Sequence, residues 1–119
     1  MKFILEEILT QCVQLLFYKS MFYGEVLEDH GKAVIFIKAA FEKGQKLLKD
    51  STYPGLYALM QKIRLYFARL LVESGMLEQS KELLQDNIQD TLLILNLRQQ
   101  RYGENFVAEA KMVKAVDLV

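Results

Sequence analysis

One proline, Pro54, interrupts the 119 residues, and on both sides of it apolar residues recur every three or four positions over long stretches. That spacing is the signature of amphipathic helices, and no useful length of chain alternates with the period of a strand. Residues 2–23 place Ile4, Leu5, Ile8, Leu9, Cys12, Val13, Leu15 and Leu16 on one face, with Lys2, Glu6, Glu7, Thr10, Gln11 and Gln14 on the other. Gly24 is the expected stop of this helix. Residues 25–49 predict a second helix whose stripe runs from Val26 and His30 through Ala33, Val34, Ile37, Ala40, Phe41 and Gly44 to Leu48. The small residues in that stripe invite close approach of a neighbour. Asp50-Ser51-Thr52-Tyr53-Pro54-Gly55 is the clearest punctuation, with Ser51 or Thr52 as cap and Pro54 in the first turn.

A third helix is expected over 54–73, with Leu56, Leu59, Met60, Ile63, Tyr66, Phe67, Leu70 and Leu71 inward, ending at Ser74-Gly75. A fourth runs from Leu77 to about Gln100 on a seam of Leu77, Ser80, Leu84, Asn87, Ile88, Thr91, Leu95, Arg98 and Tyr102. A short fifth, 106–118, presents Phe106, Ala110, Val113 and Val116. The expected fold is all-α: an antiparallel bundle or hairpin array of four long helices plus one short C-terminal helix, in one domain over 1–119.

Composition narrows the chemistry. Hydrophobic residues make up 52% and charged residues 25%, which suits a packed core rather than a disordered chain. One Cys and one His exclude a disulfide framework and a Cys/His zinc site. With no acid three residues before His30, the paired Glu-x-x-His motif of di-metal bundles is excluded as well. Cys12, between Leu9 and Leu16, is expected in the core. His30 is expected to bond backbone or a carboxylate, because nothing in sequence sets an activated nucleophile beside it. Glu78, Glu82, Asp86 and Asp90 form a solvated acidic face at i, i+4 spacing. Arg98 is expected to bond terminal carbonyls, with an anion contact as the alternative. Glycine-rich phosphate loops and the G-x-S-x-G elbow are absent. No catalytic residue, metal or cofactor is expected, and the chain is not expected to be an enzyme.

Phe3, Ile4 and Leu5 are followed at once by Glu6 and Glu7, too short a run for a secretory signal. The runs 33–37 and 92–95 fall far short of a membrane span. A cytoplasmic protein without a membrane partner is expected.

Charge is balanced, with 15 basic and 15 acidic residues, yet segregated. Residues 31–72 hold eight basic and two acidic residues, whereas 73–97 hold one basic and five acidic. Lys32, Lys38, Lys43, Lys46 and Lys49 form a candidate face for an anionic partner. That face carries neither interleaved aromatics nor Arg, so nucleic acid ranks below a protein partner.

Phe17, Tyr18, Met21, Phe22 and Tyr23 lie within seven positions, and a helix must point some of them away from any single buried face. They are either core at the bundle's end or a partner surface, since aromatic and Met clusters are enriched at interfaces. They form the candidate partner surface, with a homodimer among the candidates.

The run Phe67-Ala68-Arg69-Leu70-Leu71-Val72-Glu73-Ser74-Gly75-Met76-Leu77-Glu78-Gln79-Ser80-Lys81-Glu82-Leu83-Leu84, within Tyr66 to Gln85, resembles a tetratricopeptide-type helical hairpin. Gly75 holds the turn-side position and Ser80 replaces a small Ala. The resemblance implies a partner-binding helical array with no catalytic residues to transfer. Tyr66 to Val119 also resembles HEPN domains, the small all-α bundles of prokaryotic toxin systems. That likeness rests on Phe67, Gly75, Leu97-Arg98, Tyr102-Gly103 and the closing helix with Ala108 and Ala110. The ribonuclease members of that family use Arg-x4-6-His. No Arg here is followed by such a His, which implies that the nuclease activity is missing. The expected function is a non-enzymatic protein–protein interaction module: an adaptor, a chaperone-like subunit or a complex component. A degenerate HEPN-type domain in nucleic-acid or toxin–antitoxin biology is the alternative.

Overall fold

A computed structural model describes residues 2–51 and 53–102. Every regular element among them is helical: α1 (Lys2–Met21), a π-helical turn (Phe22–Val26), α2 (His30–Leu48), α3 (Pro54–Glu73) and α4 (Leu77–Tyr102). The short helix expected over 106–118 lies outside the described residues.

α3 is the organising element, and it follows its sequence pattern residue for residue. All eight of its expected inward residues are buried, together with Arg64 and Ala68. Pro54 opens it in the first turn, after Tyr53 in extended conformation. Ser51 does not cap the helix directly. Its hydroxyl accepts the Tyr53 N–H at 3.1 Å, while Tyr57 Oη donates to the Ser51 carbonyl at 3.1 Å. Thr52, the other expected cap, lies outside the described residues. The helix closes in a Schellman motif: Gly75 N–H bonds the Val72 carbonyl at 3.0 Å and Met76 N–H bonds the Leu71 carbonyl at 2.8 Å. Gly75 carries a φ of 80°, the left-handed conformation that this cap requires.

The other end of the molecule departs from expectation. Gly24 is not a stop. The chain winds on through it as a π turn and breaks only after Leu27, where Glu28 takes a φ of 52°. α2 therefore begins at His30 rather than 25, capped by Asp29, whose carboxylate accepts the Lys32 N–H at 3.1 Å. Gly24 serves close approach instead, since a Cβ there would collide with Tyr66 Oη. From Ala33 onward the α2 stripe is as expected, with Ala33, Ile37, Ala40 and Gly44 buried.

Neighbours in sequence pack antiparallel. Ser20 Oγ donates to the Ala33 carbonyl at 2.6 Å, joining α1 to α2. Phe41 meets Phe67 edge-on at 5.7 Å, joining α2 to α3. Gln61 reaches Asn87 and Thr91, joining α3 to α4. α1 also touches α3, where the Phe17 ring packs edge-on to Tyr66 at 6.0 Å. Among the described residues, α4 touches α3 alone. Among the described residues the helices thus form an open succession, with a side of each end helix uncovered by another described helix.

Candidate interaction surface

α1 has two opposed faces. Thr10, Val13, Phe17 and Ser20 are buried against the rest of the molecule, at spacings of three, four and three. Small Ser20 permits close approach to α2, and Phe17 seats against Tyr66. The buried Thr10 hydroxyl is satisfied by the Glu6 carbonyl at 2.7 Å. These four residues set the rotation of the helix, and two of them are polar. The apolar stripe expected from the sequence is accordingly divided. Val13 is core, Leu9, Cys12 and Leu16 are half-buried, and Ile4, Leu5, Ile8 and Leu15 face outward.

The outward residues continue into the aromatic end of the helix. Ile4, Ile8, Leu15, Tyr18 and Phe22 are 60, 51, 67, 50 and 50% exposed, and Gln11 fills the gap in their spacing. Positions 4, 8, 11, 15, 18 and 22 alternate steps of four and three, the spacing of a coiled-coil seam. Gln14 Nε2 donates to Tyr18 Oη at 2.7 Å and steadies that ring at the stripe's edge.

The five residues of the candidate partner surface are therefore not brought together on one face. Phe17 belongs to the core. Met21 and Tyr23 are half-buried, and Tyr23 stacks on Phe36 at 5.2 Å. Only Tyr18 and Phe22 stand out, and they extend the stripe that begins at Ile4.

α4 repeats the theme at the opposite end. Ser80, Leu83 and Leu95 are buried and Asn87 and Thr91 half-buried, whereas Leu77, Leu84, Ile88, Leu92 and Leu93 are exposed. The seam on α3 is polar at its centre. Gln61 Nε2 donates to the Asn87 carbonyl at 3.1 Å and to Thr91 Oγ1 at 2.6 Å, and Asn87 Nδ2 returns a bond to the Gln61 carbonyl at 3.0 Å. Buried Arg64 donates to Asn87 Oδ1 at 3.4 Å. The sequence signal for Arg64 is a cation inside the Met60–Phe67 stripe. The Arg98 side chain lies outside the described residues.

Lys32, Lys38, Lys43 and Lys46 on α2 and Lys49 at its C-terminal cap are all exposed, and none pairs with a carboxylate among the described residues. Contrary to the sequence reading, aromatic rings do stand beside this face. Lys32 lies over the Tyr23 ring at 5.3 Å and Lys19 over Phe36 at 4.5 Å. Both rings are occupied by each other and by an ammonium, which leaves poor platforms for a nucleobase.

One cluster has the composition of a hydrolytic triad. His30 Nε2 lies 2.9 Å from Ser74 Oγ, and His30 Nδ1 lies 3.8 Å from Glu73 Oε2. Its surroundings oppose catalysis. Ser74 Oγ donates to the Leu70 carbonyl at 3.0 Å, so its proton is committed away from the imidazole. The neighbouring N–H groups of Ser74, Gly75 and Met76 are spent on the helix cap. A helix C-terminus also carries partial negative charge, which disfavours an oxyanion. Beside the cluster, Arg69 bridges Glu73 at 3.3 Å and Glu25 at 3.1 Å, which raises its pKa further. The arrangement ties the start of α2 and the π turn to the end of α3.

Two hollows indent the described surface. One is lined by Leu5, Leu9, Leu47 and Leu56 with Glu6, Asp50 and Ser51, and the other by Tyr57, Arg64, Gln45, Lys49, Asp86 and Gln89 with Leu48. In the first the Ser51 hydroxyl accepts the Tyr53 N–H, and in the second the Tyr57 hydroxyl donates to the Ser51 carbonyl. No group of three or more His, Cys, Asp or Glu fit to hold a metal occurs among the described residues, and no described helix is long and apolar enough to cross a membrane. No family model, curated protein or solved structure matches the chain.

Proposed function

We propose that this chain is a non-enzymatic protein–protein interaction module that works through the uncovered faces of its end helices. The observation that carries the reading is the outer stripe of α1 and the start of the π turn: Ile4, Ile8, Leu15, Tyr18 and Phe22, each half or more exposed, in a coiled-coil spacing whose remaining position is Gln11. A monomer seldom leaves so long an apolar stripe in water, and interfaces are where such stripes are used. Two further features support it. The succession of described helices is open, so a partner can add at either end without displacing a described helix. The Ser74–His30–Glu73 cluster lacks the free donors and the polarity that acyl transfer needs, which supports a non-enzymatic role. An adaptor or complex subunit fits these features, in line with the partner-binding array that the tetratricopeptide-type resemblance implies.

The test is site-specific photocrosslinking in the native cell, with the probe at Leu15, at Leu92 or, as control, at Lys43. Adducts are expected from an apolar face and not from the control, and Ile8→Glu is expected to remove those made at Leu15. Absence of adducts at both faces, in cells where the chain performs its role, overturns the reading.

A further inference from the structure

The outer face of α1 also points to what covers it. We propose that the stripe Ile4, Ile8, Gln11, Leu15, Tyr18 and Phe22 pairs antiparallel with the same stripe of a second copy of this chain, across a twofold axis near Val13. This inference rests on the interaction reading above and names the partner of that surface.

The stripe is complementary to itself in one register. With residue 13 at the axis, Ile4 faces Phe22 of the second copy, Ile8 faces Tyr18, and Gln11 faces Leu15. Each outer layer pairs an aliphatic with an aromatic side chain, so the layers have similar bulk. Each also sets one heptad position against the other kind, as antiparallel pairs do. A parallel pair would stack Phe22 on Phe22 and Ile4 on Ile4, giving layers of unequal width.

Opposed helix dipoles favour the antiparallel sense.

The area available is of the right order. From their exposures, the five apolar side chains of the stripe and Leu5 present roughly 700 Å² per copy, close to the ~800 Å² each partner contributes to a standard interface. No rearrangement is required, because the residues that hold α1 to its own chain, Val13, Phe17 and Ser20, lie on the opposite side of the helix.

Light scattering on the full chain at about 100 µM, where a micromolar dimer is populated, reads the outcome. A dimer is expected. Leu15→Glu is expected to give a helical monomer whose melting temperature, unlike that of the wild type, does not change with protein concentration, and Ile88→Glu on α4 to leave the dimer intact. Cys12 flanks the stripe one residue from the axis, so a short thiol-to-thiol crosslinker is expected to join two wild-type chains. The Cys12→Ser, Ile4→Cys double variant is expected not to be joined, since the antiparallel register sets the two copies of residue 4 about 27 Å apart along the helix. Crosslinking of that variant, or a dimer lost with Ile88→Glu and kept with Leu15→Glu, overturns the proposal. So does a monomer in which Leu15→Glu lowers the melting temperature by more than about 5 °C, because the stripe is then covered within its own chain. A monomer that sediments with anionic phospholipid vesicles assigns the stripe to a membrane and also overturns it. A wild-type monomer that still yields photoadducts at Leu15 ends the self-pairing and leaves the interaction reading standing. A monomer without adducts at either apolar face ends both.

Discussion

Gly24 and Tyr66 show how a single position sets local architecture. The π turn carries Gly24 directly over the Tyr66 hydroxyl, and the next contacts, Ala33 Cβ at 3.2 Å and Tyr66 Cζ at 3.6 Å, leave room for a methyl only once that oxygen is gone. Gly24→Ala is therefore expected to destabilise the fold by about 1–3 kcal/mol, as overpacking does. Most of the loss should disappear in a Tyr66→Phe background, and a urea double-mutant cycle measures the coupling. Additive effects would show that the turn moves rather than collides. Tyr66 makes a second point. Its hydroxyl is buried without a hydrogen-bond partner among the described residues. Burial first, and the nearby Glu25 carboxylate second, raise its pKa above the usual 10.0. The folded state thus holds this proton more tightly than the unfolded chain. The resulting stability is complete below pH 10 and is lost as pH rises from there through the folded pKa. Absorbance titration of the six tyrosines should show a late component that Tyr66→Phe removes, and a titration unchanged by Tyr66→Phe would contradict this.

At the scale of elements, legibility depended on how many demands a helix meets at once. α3 is packed on by three neighbours, and its wide apolar stripe could be read directly from Leu56 to Leu71. Leu70→Ala and Ile37→Ala should each cost about 2–4 kcal/mol in urea unfolding, as buried aliphatic truncations do. Losses near 0.5 kcal/mol would deny both a core role. α1 was misread because it carries apolar residues on two sides, and the polar Thr10 and Ser20 decide which side goes inward. Periodicity counts apolar residues and cannot see the Ser20–Ala33 hydrogen bond. α4 was misread for a related reason. The expected seam holds at Ser80, Asn87, Thr91 and Leu95, but Leu83 is buried in it and Leu77, Leu84 and Ile88 are exposed. Asn87 and Thr91 lie inward as their pattern predicts, but their partner Gln61, about two helical turns into α3, belongs to no motif in the sequence. Asn87→Ala should cost about 1–3 kcal/mol, because Gln61 and Arg64 lose partners in a partly buried seam. Since α4 touches α3 alone, its amides should exchange with solvent before those of α3. Equal protection of both helices would show a cooperativity that these contacts do not provide.

For the whole molecule, charge and apolar surface are distributed unevenly. The lysines of α2 lie exposed, Glu78, Glu82 and Asp86 are exposed on α4, and the apolar stripes occupy the end helices. The charge segregation was legible from sequence alone. The open succession was not, because it depends on which helices fail to touch. Among the described residues α4 packs its backbone against α3 and against neither α1 nor α2. Carbene footprinting of the full chain at about 100 µM, wild type against Leu15→Glu, tests most directly whether the outer face of α1 is an interface. Ile4, Ile8 and Phe22 should be labelled several-fold less in the wild type than in the variant, with Leu84 and Ile88 labelled alike in both. Equal labelling of α1 in the two proteins would contradict the account.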